Sequence, residues 1–283
     1  MKNILVTGAN GQLGSCFRKH RKKYSNLSFD FKSSRELDIS NFAEVDRLFS
    51  SQSYDFCINA AAYTNVEEAE SEKEKAFQIN AEAPGKLAEV CAAKQVKMIH
   101  FSTDYVFDGS KTEPYLETDE VNPINIYGAS KLAGERQITE VIDEHLIFRT
   151  SWLYSEFGHN FFCTILKKAA EKASLNITTT QLGTPTNAND LAKYVLDGIQ
   201  KDSSATGIYH FSNLGQASWY DFAEEILNYS GKIDQVVLNK TGFFKTLAQR
   251  PEYSVLSKEK AIQEFGEIRD WRNSLRDLID EVV

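Results

Sequence analysis

The sequence has few cysteines, no long apolar run and no excess of positive charge. Its four cysteines are widely spaced, with no CxxC pair and no Cys/His cluster. That pattern is typical of reduced thiols rather than of a disulfide framework or a zinc site. No stretch approaches the roughly 20 apolar residues that span a bilayer. The apolar start Ile4-Leu5-Val6 is too short for a signal peptide, so we expect a cytoplasmic protein that does not contact a membrane.

The charge balance argues against a nucleic-acid partner. The chain carries 32 lysines and arginines against 40 aspartates and glutamates, a net charge of −8, whereas phosphate backbones are bound by clustered cations. One basic run, from Arg18 to Lys23, ends the first predicted helix, where cations complement the helix C-terminus. We therefore expect no nucleic-acid surface.

Short apolar runs alternate with longer amphipathic ones in the first half of the 283 residues. Such alternation predicts βαβ units and an α/β fold with a doubly wound parallel sheet. The predicted strands cover Lys2–Thr7, Leu27–Lys32, Tyr54–Ala60, Val96–Ser102 and Leu146–Thr150, and one of the helices between them covers Ala81–Lys94.

The pattern is weaker after Thr150. Further strands are predicted at Asn176–Thr180 and Gly207–Ser212, and helices at Ala188–Lys201, Trp219–Tyr229 and Arg269–Val283, with irregular chain over 232–257. We expect a dinucleotide-binding domain over 1–150, completed by part of 186–212, and a smaller α/β substrate-binding lobe over 151–283.

A glycine-rich loop follows the first strand and opens a helix. Gly8, Gly11 and Gly14 allow a sharp turn, a close approach to a pyrophosphate and tight helix packing, and the helix N-terminus favours anions. The spacing GxxGxxG resembles the extended branch of the short-chain dehydrogenase/reductase superfamily. The resemblance implies a nicotinamide dinucleotide as cofactor.

The end of the second strand contains residues suited to each form of that cofactor. Asp30 could accept from a ribose 2′-hydroxyl, which favours NAD, whereas Ser33, Ser34 and Arg35 could hold a 2′-phosphate, which favours NADP. Because Asp30 falls within the predicted strand, we expect NADPH, with NADH as the alternative.

A tyrosine and a lysine, Tyr127 and Lys131, lie four residues apart and so share one face of a helix. Hydride transfer to a carbonyl leaves an oxyanion that a phenol can protonate, and a nearby ammonium lowers the pKa of that phenol. With twelve tyrosines, about one YxxxK arises by chance. Thr103 strengthens the pattern, because it ends the fourth predicted strand, where it can hydrogen-bond the substrate oxygen. We predict a catalytic group of Thr103, Tyr127 and Lys131.

Several longer segments resemble the dTDP-4-dehydrorhamnose reductase family over nearly the whole chain. They cover 59–70, 102–109, 122–128, 149–154 and 183–186. The resemblance implies reduction of the 4-keto group of dTDP-4-dehydro-L-rhamnose, with Tyr127 as proton donor and Lys131 also holding the nicotinamide ribose.

The resemblance also implies two further sets of contacts. Those with the cofactor are made by Gly8, Gly11, Gln12, Leu13, Gly14, Asp38, Ile39, Ala60, Ala61, Ala62 and Thr64, besides Ser33, Arg35, Tyr127 and Lys131. Those with the substrate are made by Val66, Glu67, Thr103, Asp104, Tyr127, Trp152 and Arg250. Three have alternatives: Glu67 as a solvated carboxylate at a helix start, Trp152 as a core aromatic and Arg250 as a surface ion pair.

One departure from the family concerns metal. Some members bind Mg²⁺ at a dimer interface through a Glu that corresponds to Cys16 here, a poor ligand for a hard cation. Downstream, Asn189-Asp190 retains one carboxylate. We expect no Mg²⁺ requirement and either a monomer or a homodimer.

Two other functions share these motifs. An epimerase or 4,6-dehydratase has the same loop and Tyr-Lys pair, but dehydration needs a second carboxylate where Tyr105 follows Asp104. The regulatory subunit of methionine adenosyltransferase resembles the family without catalysis, and an intact Thr103, Tyr127 and Lys131 argues against that role.

Overall fold

The computed structural model describes residues 1–242 and 246–283. Within these ranges the strands are β1 (Lys2–Thr7), β2 (Leu27–Lys32), β3 (Phe56–Asn59), β4 (Lys97–Thr103), β5 (His145–Thr150), β6 (Leu153–Tyr154), β7 (Leu175–Thr178), β8 (Leu182–Gly183), β9 (Thr186–Asn187), β10 (Gly207–His210), β11 (Ala217–Ser218) and β12 (Leu238–Thr241). The α-helices are α1 (Gln12–His20), α2 (Phe42–Ser51), α3 (Val66–Ala69), α4 (Lys73–Phe77), α5 (Ala83–Lys94), α6 (Ile126–Val141), α7 (Phe161–Ala170), α8 (Ala188–Gln200), α9 (Trp219–Tyr229), α10 (Glu259–Phe265) and α11 (Trp271–Val282).

Six strands form one parallel sheet in the order β10-β5-β4-β3-β1-β2. Because all six run the same way, their carboxyl ends meet at one edge. The chain moves from β1 to β2 on one side and then returns to place β3 on the other. The crevice at such a switch point is where open α/β sheets bind ligands. The predicted fold class is confirmed.

The strands are continuous apolar runs because helices cover both faces of the sheet. Ile4, Leu5 and Val6 of β1 have no exposed surface. Ile4 and Val6 join a core with α1 and α8, whereas Leu5, pointing the other way, joins a core with α2, α5 and α6. The alternation of side chains along a strand thus stabilises both layers at once.

A third core lies between α7, α9 and α11, where Phe162, Phe222 and Leu275 pack around the fully buried Trp271. Three two-stranded sheets, β11-β8, β12-β7 and β6-β9, surround it. Although it follows residue 150, β10 pairs with β5 in the central sheet. The domain division at residue 150 stays a prediction. No helix within residues 1–242 and 246–283 is long and apolar enough to cross a membrane.

The structure differs from the sequence predictions in two places. The helix predicted over Ala81–Lys94 begins earlier, as a π-helical turn over Gln78–Glu82 that leads into α5. The prediction of irregular chain over 232–257 is wrong for β12, which pairs with β7 more than 60 residues earlier in the chain. Only one of the four residues of β12 is apolar, so its sequence has no hydrophobic alternation that would predict a strand. The strand is stabilised by its pairing with β7.

Candidate active site

The carboxyl edge of the sheet brings most predicted site residues together. Gly8 follows β1, Ala60 follows β3, Thr103 ends β4, and Tyr127 lies in the first turn of α6. From Gly8 to Tyr127 these residues span more than 100 positions of the sequence. The parallel sheet places them around one crevice. The grouping predicted from the sequence therefore lies at the carboxyl edge of the sheet, next to β1, β3 and α6.

The glycine loop is packed so closely that side chains are excluded from two of its positions. Gly8 has φ +64°, and a Cβ atom there would lie 2.5 Å from the Ala61 nitrogen. A Cβ atom at Gly14 would lie 2.4 Å from the Gly8 oxygen. Helix α1 then begins after Gly11, and no side chain in the described part of the protein caps its free amides. The loop has the shape and the donors that a dinucleotide pyrophosphate requires.

The side chains of two loop residues contact other parts of the protein. Gln12 accepts a hydrogen bond at 2.7 Å from Asn160, which in turn caps the start of α7. Leu13 is buried in the core beneath α1. Their contacts with a pyrophosphate, if made through the backbone, stay a prediction.

At the end of β2, two residues considered for contacts with the cofactor ribose, Asp30 and Ser33, are hydrogen-bonded within the protein. Asp30 lies within β2, where its carboxylate accepts from the Tyr54 hydroxyl at 2.5 Å and pairs with Lys32. The Ser33 nitrogen and hydroxyl both donate to Glu36, and Arg35 is exposed. Ser33 is thus occupied by a carboxylate at the position predicted to hold a phosphate.

Arg18, which the sequence analysis placed at the end of the first helix, lies close to the end of β2. The Arg18 guanidinium, in the last turn of α1, stacks 4.6 Å from the centre of the Phe31 ring in β2. Ser33 lowers the pKa of Glu36 most, and Lys32 and Arg18 lower it further. No sequence motif marks Arg18; its position depends on the packing of α1 beside β2.

The remaining predicted cofactor contacts lie beside the crevice. Asp38 is exposed and accepts from the nitrogen and hydroxyl of Ser40, whereas Ile39 is buried. Ala60 and Ala61 are half-buried, and Ala62 and Thr64 are exposed. These short side chains leave the surface after β3 open, as a flat cofactor ring would need.

Thr103, Tyr127 and Lys131 meet at the end of β4. The Thr103 hydroxyl donates to Asp104 at 3.0 Å and accepts from the Tyr105 nitrogen at 3.2 Å. Burial raises the pKa of the Tyr127 phenol to about 12, the Thr103 hydroxyl lowers it, and Asp104 raises it. Desolvation has the largest effect on the phenol, and the lowering of its pKa by Lys131 stays a prediction.

Lys131 is almost fully buried, with 2% of its surface exposed. Burial lowers its pKa to about 8, and Glu135, one turn further along α6, opposes this. Its Nζ lies 3.2 Å from His100 Nε2 in β4. His100 is a site residue that the sequence reasoning missed.

The start of α6 is fixed by its own cap residue, Asn125, and by hydrogen bonds with two other segments. The Asn125 carbonyl accepts from the Gly128 nitrogen, and its amide donates to the Gln249 oxygen. Asn80, in the π-helical turn, donates to the Ser130 hydroxyl at 3.0 Å and pairs with the Tyr63 backbone. Tyr127 is therefore held by hydrogen bonds on both sides of its turn.

On the substrate side, Asp104 is buried, and burial raises its pKa to about 7. Its Oδ2 has no hydrogen-bond partner among the residues that the structure describes. Ser254 and Thr103 lie close enough to lower the pKa of this carboxyl and so oppose the effect of burial. Contact of Asp104 with a substrate stays a prediction.

Glu67 and Arg250 lie 2.9 Å apart and form an ion pair, and Glu67 also accepts from the Leu247 nitrogen at 2.7 Å. The ion-pair alternative for Arg250 is therefore what the structure contains, with Glu67 as its partner. Val66, beside Glu67, is half-buried at the start of α3. Contacts of these three residues with a substrate stay predictions.

Trp152 is a half-buried aromatic in a strained backbone conformation, with φ +44°. Its indole stacks on Trp219 at 3.7 Å with an angle of 9° between the rings. A Cβ atom at Gly183 would lie 2.6 Å from the same indole. Trp152 is therefore packed against both Trp219 and Gly183, and the stacking of a sugar on its ring stays a prediction.

Around Cys16, the nearby Glu156 carboxylate is paired with the Lys19 ammonium. Cys16 is buried, which raises the pKa of its thiol to about 12, and Asp190 bonds to Ser274 and Asn213. In residues 1–242 and 246–283, no three His, Cys, Asp or Glu residues are grouped to hold a metal ion. Independence from Mg²⁺ stays a prediction.

Comparison with known proteins agrees with this geometry. The chain is 37% identical to dTDP-4-dehydrorhamnose reductase of Aggregatibacter actinomycetemcomitans over 98% of both chains. It superposes on a dTDP-4-dehydrorhamnose reductase from Clostridium acetobutylicum with a TM-score of 0.93 and 37% identity, over 99% of each chain. For the enzyme from Bacillus anthracis in complex with NADP, the TM-score is 0.92 and the identity 34%, again over 99% of each chain.

The family model described as the RmlD substrate binding domain matches residues 1–283. The match confirms the resemblance given by the sequence motifs. The chain belongs to the RmlD family, whose members named above are dTDP-4-dehydrorhamnose reductases.

Proposed function

We propose that the protein reduces the 4-keto group of dTDP-4-dehydro-L-rhamnose to give dTDP-L-rhamnose, with NADPH as reductant and Tyr127 as proton donor. The observation that carries the proposal is that Thr103, at the end of β4, hydrogen-bonds the Tyr127 hydroxyl. Lys131 lies one turn further along α6, and the glycine loop follows β1 at the same edge of the sheet. The identity with reductases over nearly the full chain supports the choice of substrate, and the NADP complex of a relative supports the cofactor.

The residues present suit NADPH. The backbone of the glycine loop packs closely at Gly8 and Gly14, which gives the tight turn that a pyrophosphate-binding loop needs. Arg18 offers a cation near the end of β2 for a 2′-phosphate. When bound, NADPH supplies the hydride that adds to C4 of the sugar. All other chemistry in the reaction belongs to side chains of the protein.

Tyr127 is suited to give the proton. Because its pKa is raised to about 12, the phenol keeps its proton at neutral pH. As hydride reaches C4, the electrons of the carbonyl π bond move to O4, and the Tyr127 O–H protonates that oxygen. An alkoxide is a stronger base than a phenolate, so the transfer is favourable. The phenolate left behind is then stabilised by the Lys131 ammonium.

Thr103 can hold the carbonyl oxygen only if its hydroxyl hydrogen is free. It now donates to Asp104 at 3.0 Å. When Asp104 is protonated, the carboxyl can donate to Thr103 instead, and the Thr103 hydrogen can turn to the substrate. With the pKa of Asp104 raised to about 7, the protonated form is well populated at neutral pH.

The direct test is turnover with the proposed substrate. Purified protein with dTDP-4-dehydro-L-rhamnose should oxidise NADPH and form dTDP-L-rhamnose, detected by loss of the reduced-nicotinamide absorbance and by mass spectrometry of the sugar nucleotide. Absence of oxidation with both NADPH and NADH would reject the proposed substrate. Interconversion of sugar epimers without net oxidation, by a protein purified with its nucleotide, would favour an epimerase.

A further inference from the structure

A row of polar side chains crosses the centre of the sheet beneath the active site. In the register of the sheet, Thr7 of β1 lies opposite Asn59 of β3, and Asn59 lies opposite His100 of β4. All three are buried, with His100 fully so. A buried polar row in an apolar sheet is costly unless each member is hydrogen-bonded, so its partners indicate its purpose.

The hydrogen bonds in this row fix the orientation of the Asn59 amide. The Ala61 backbone nitrogen, which can only donate, points at Asn59 Oδ1 from 3.3 Å. The Thr7 hydroxyl donates to the same oxygen at 2.6 Å. The amide nitrogen of Asn59 therefore faces His100 Nδ1, at 3.1 Å, and Nδ1 must accept.

That orientation in turn fixes the tautomer of His100. A neutral imidazole with an accepting Nδ1 carries its hydrogen on Nε2. His100 Nε2 lies 3.2 Å from Lys131 Nζ, and burial holds the pKa of the imidazole well below its usual range. The imidazole N–H thus points directly at the lysine nitrogen that the proposed reaction uses.

We propose that His100 is a positioning residue that holds Lys131 beside Tyr127 through a hydrogen bond from Nε2–H, with its tautomer set by Asn59. The bond is made to the lone pair of the neutral amine, so it fixes the side chain in that form. It opposes the ammonium that stabilises the Tyr127 phenolate and breaks when Lys131 is protonated. The ionisable groups facing Lys131 are Glu135 and Tyr127 on α6 and His100 on β4. Glu135 favours the ammonium, and His100 opposes it.

The first test needs no turnover. In protein labelled with ¹⁵N-histidine, a long-range ¹H–¹⁵N spectrum distinguishes the two neutral tautomers. The chain has five histidines, and His100→Gln assigns the signal. We expect a hydrogen on Nε2 and none on Nδ1. A hydrogen on Nδ1 would overturn the proposal, whatever the substrate of the enzyme.

The second test uses kinetics and rests on the proposed reductase activity, which the wild-type protein checks in parallel. His100→Phe keeps a ring of similar size but removes both nitrogens. We expect kcat to fall at least about tenfold, since displacing a catalytic group by about 1 Å costs up to about 100-fold. We also expect the basic limb of the kcat–pH profile to move to higher pH, because a donor that opposes the ammonium is lost.

His100→Gln is the matched variant. Its amide can donate to Lys131 and accept from Asn59, so both kcat and the position of the basic limb should stay close to those of the wild type. If His100→Phe kept the wild-type rate and profile, the proposal would fail. Equal losses in both variants with an unmoved limb would leave His100 a packing residue only, and would also overturn it. If His100→Phe does not fold, the kinetics of His100→Gln and the tautomer of His100 in the NMR spectrum test the proposal.

Discussion

Among single residues, Asp104 connects the chemistry of the site with the stability of the fold. Its carboxyl is buried beside Thr103, with one oxygen bonded to the Thr103 hydroxyl and the pKa raised from 3.8 to about 7 by desolvation. Above this pKa the buried carboxylate carries a charge, which lowers the stability of the folded protein. The proposed gain is a carboxyl that can carry a proton at neutral pH and release the Thr103 hydroxyl.

This arrangement predicts a pH dependence with a definite sign. Between pH 3.8 and about 7 the folded protein holds a proton that the unfolded chain releases, so the free energy of unfolding falls as pH rises through that window. The raised pKa of Asp104 corresponds to a decrease of as much as about 4 kcal/mol in the free energy of unfolding across this window. Asp104→Asn, which cannot titrate, should remove most of this slope.

Urea unfolding at several pH values between 4 and 8 measures how the free energy of unfolding depends on pH. The exposed Asp280→Asn controls for the loss of a carboxylate. Unfolding free energies that run parallel with pH in the wild type and Asp104→Asn would show that the Asp104 carboxyl is not desolvated in this way.

Among the elements, α1 does more than close the glycine loop. It carries Arg18 across the end of β2, where the guanidinium stacks on Phe31, while Glu36 rather than a ligand occupies Ser33. A cation fixed over an aromatic ring suits a phosphate better than a flexible lysine does. The packing of helix on strand thus supplies a further candidate for 2′-phosphate recognition, beside Ser33 and Arg35, whose contacts with the cofactor stay predictions.

Arg18→Ala should therefore raise the KM for NADPH about tenfold or more, since a charge-assisted hydrogen bond is worth about 1.5–3 kcal/mol, and leave the KM for NADH nearly unchanged. Lys22→Ala, in the 3₁₀ turn that follows α1, is the matched control and should alter neither value. Steady-state kinetics with both cofactors decides. An equal effect of Arg18→Ala on NADPH and NADH would contradict the assignment.

The elements also show what a sequence can predict. The strands of the central sheet and the glycine loop were predictable because hydrophobic runs and glycine spacing are local patterns. The role of His100 was not predictable, because His100 lies inside a predicted strand and no local motif marks it. Its partners Asn59 and Lys131 come from the register of β3 with β4 and from the packing of α6, which no local pattern contains.

In the whole molecule, the crevice lies where the two parts of the chain meet. Gln12 of the glycine loop is bonded to Asn160 at the start of α7, and Glu67 of α3 is paired with Arg250. The proposed substrate would have to contact both parts. The sequence motifs identified residues on each side separately, and the fold shows that they face one another.

The central claim is that Tyr127 protonates the reduced carbonyl, and one comparison of variants tests it. Tyr127→Phe removes a single hydroxyl, as does Tyr209→Phe in β10, whose ring packs against Phe265 away from the crevice. Both should keep the wild-type Tm and bind NADPH. We predict that kcat falls at least about 100-fold in Tyr127→Phe, because general acid catalysis contributes about that much or more, and stays unchanged in Tyr209→Phe. Turnover of Tyr127→Phe within a few-fold of the wild type would contradict the account.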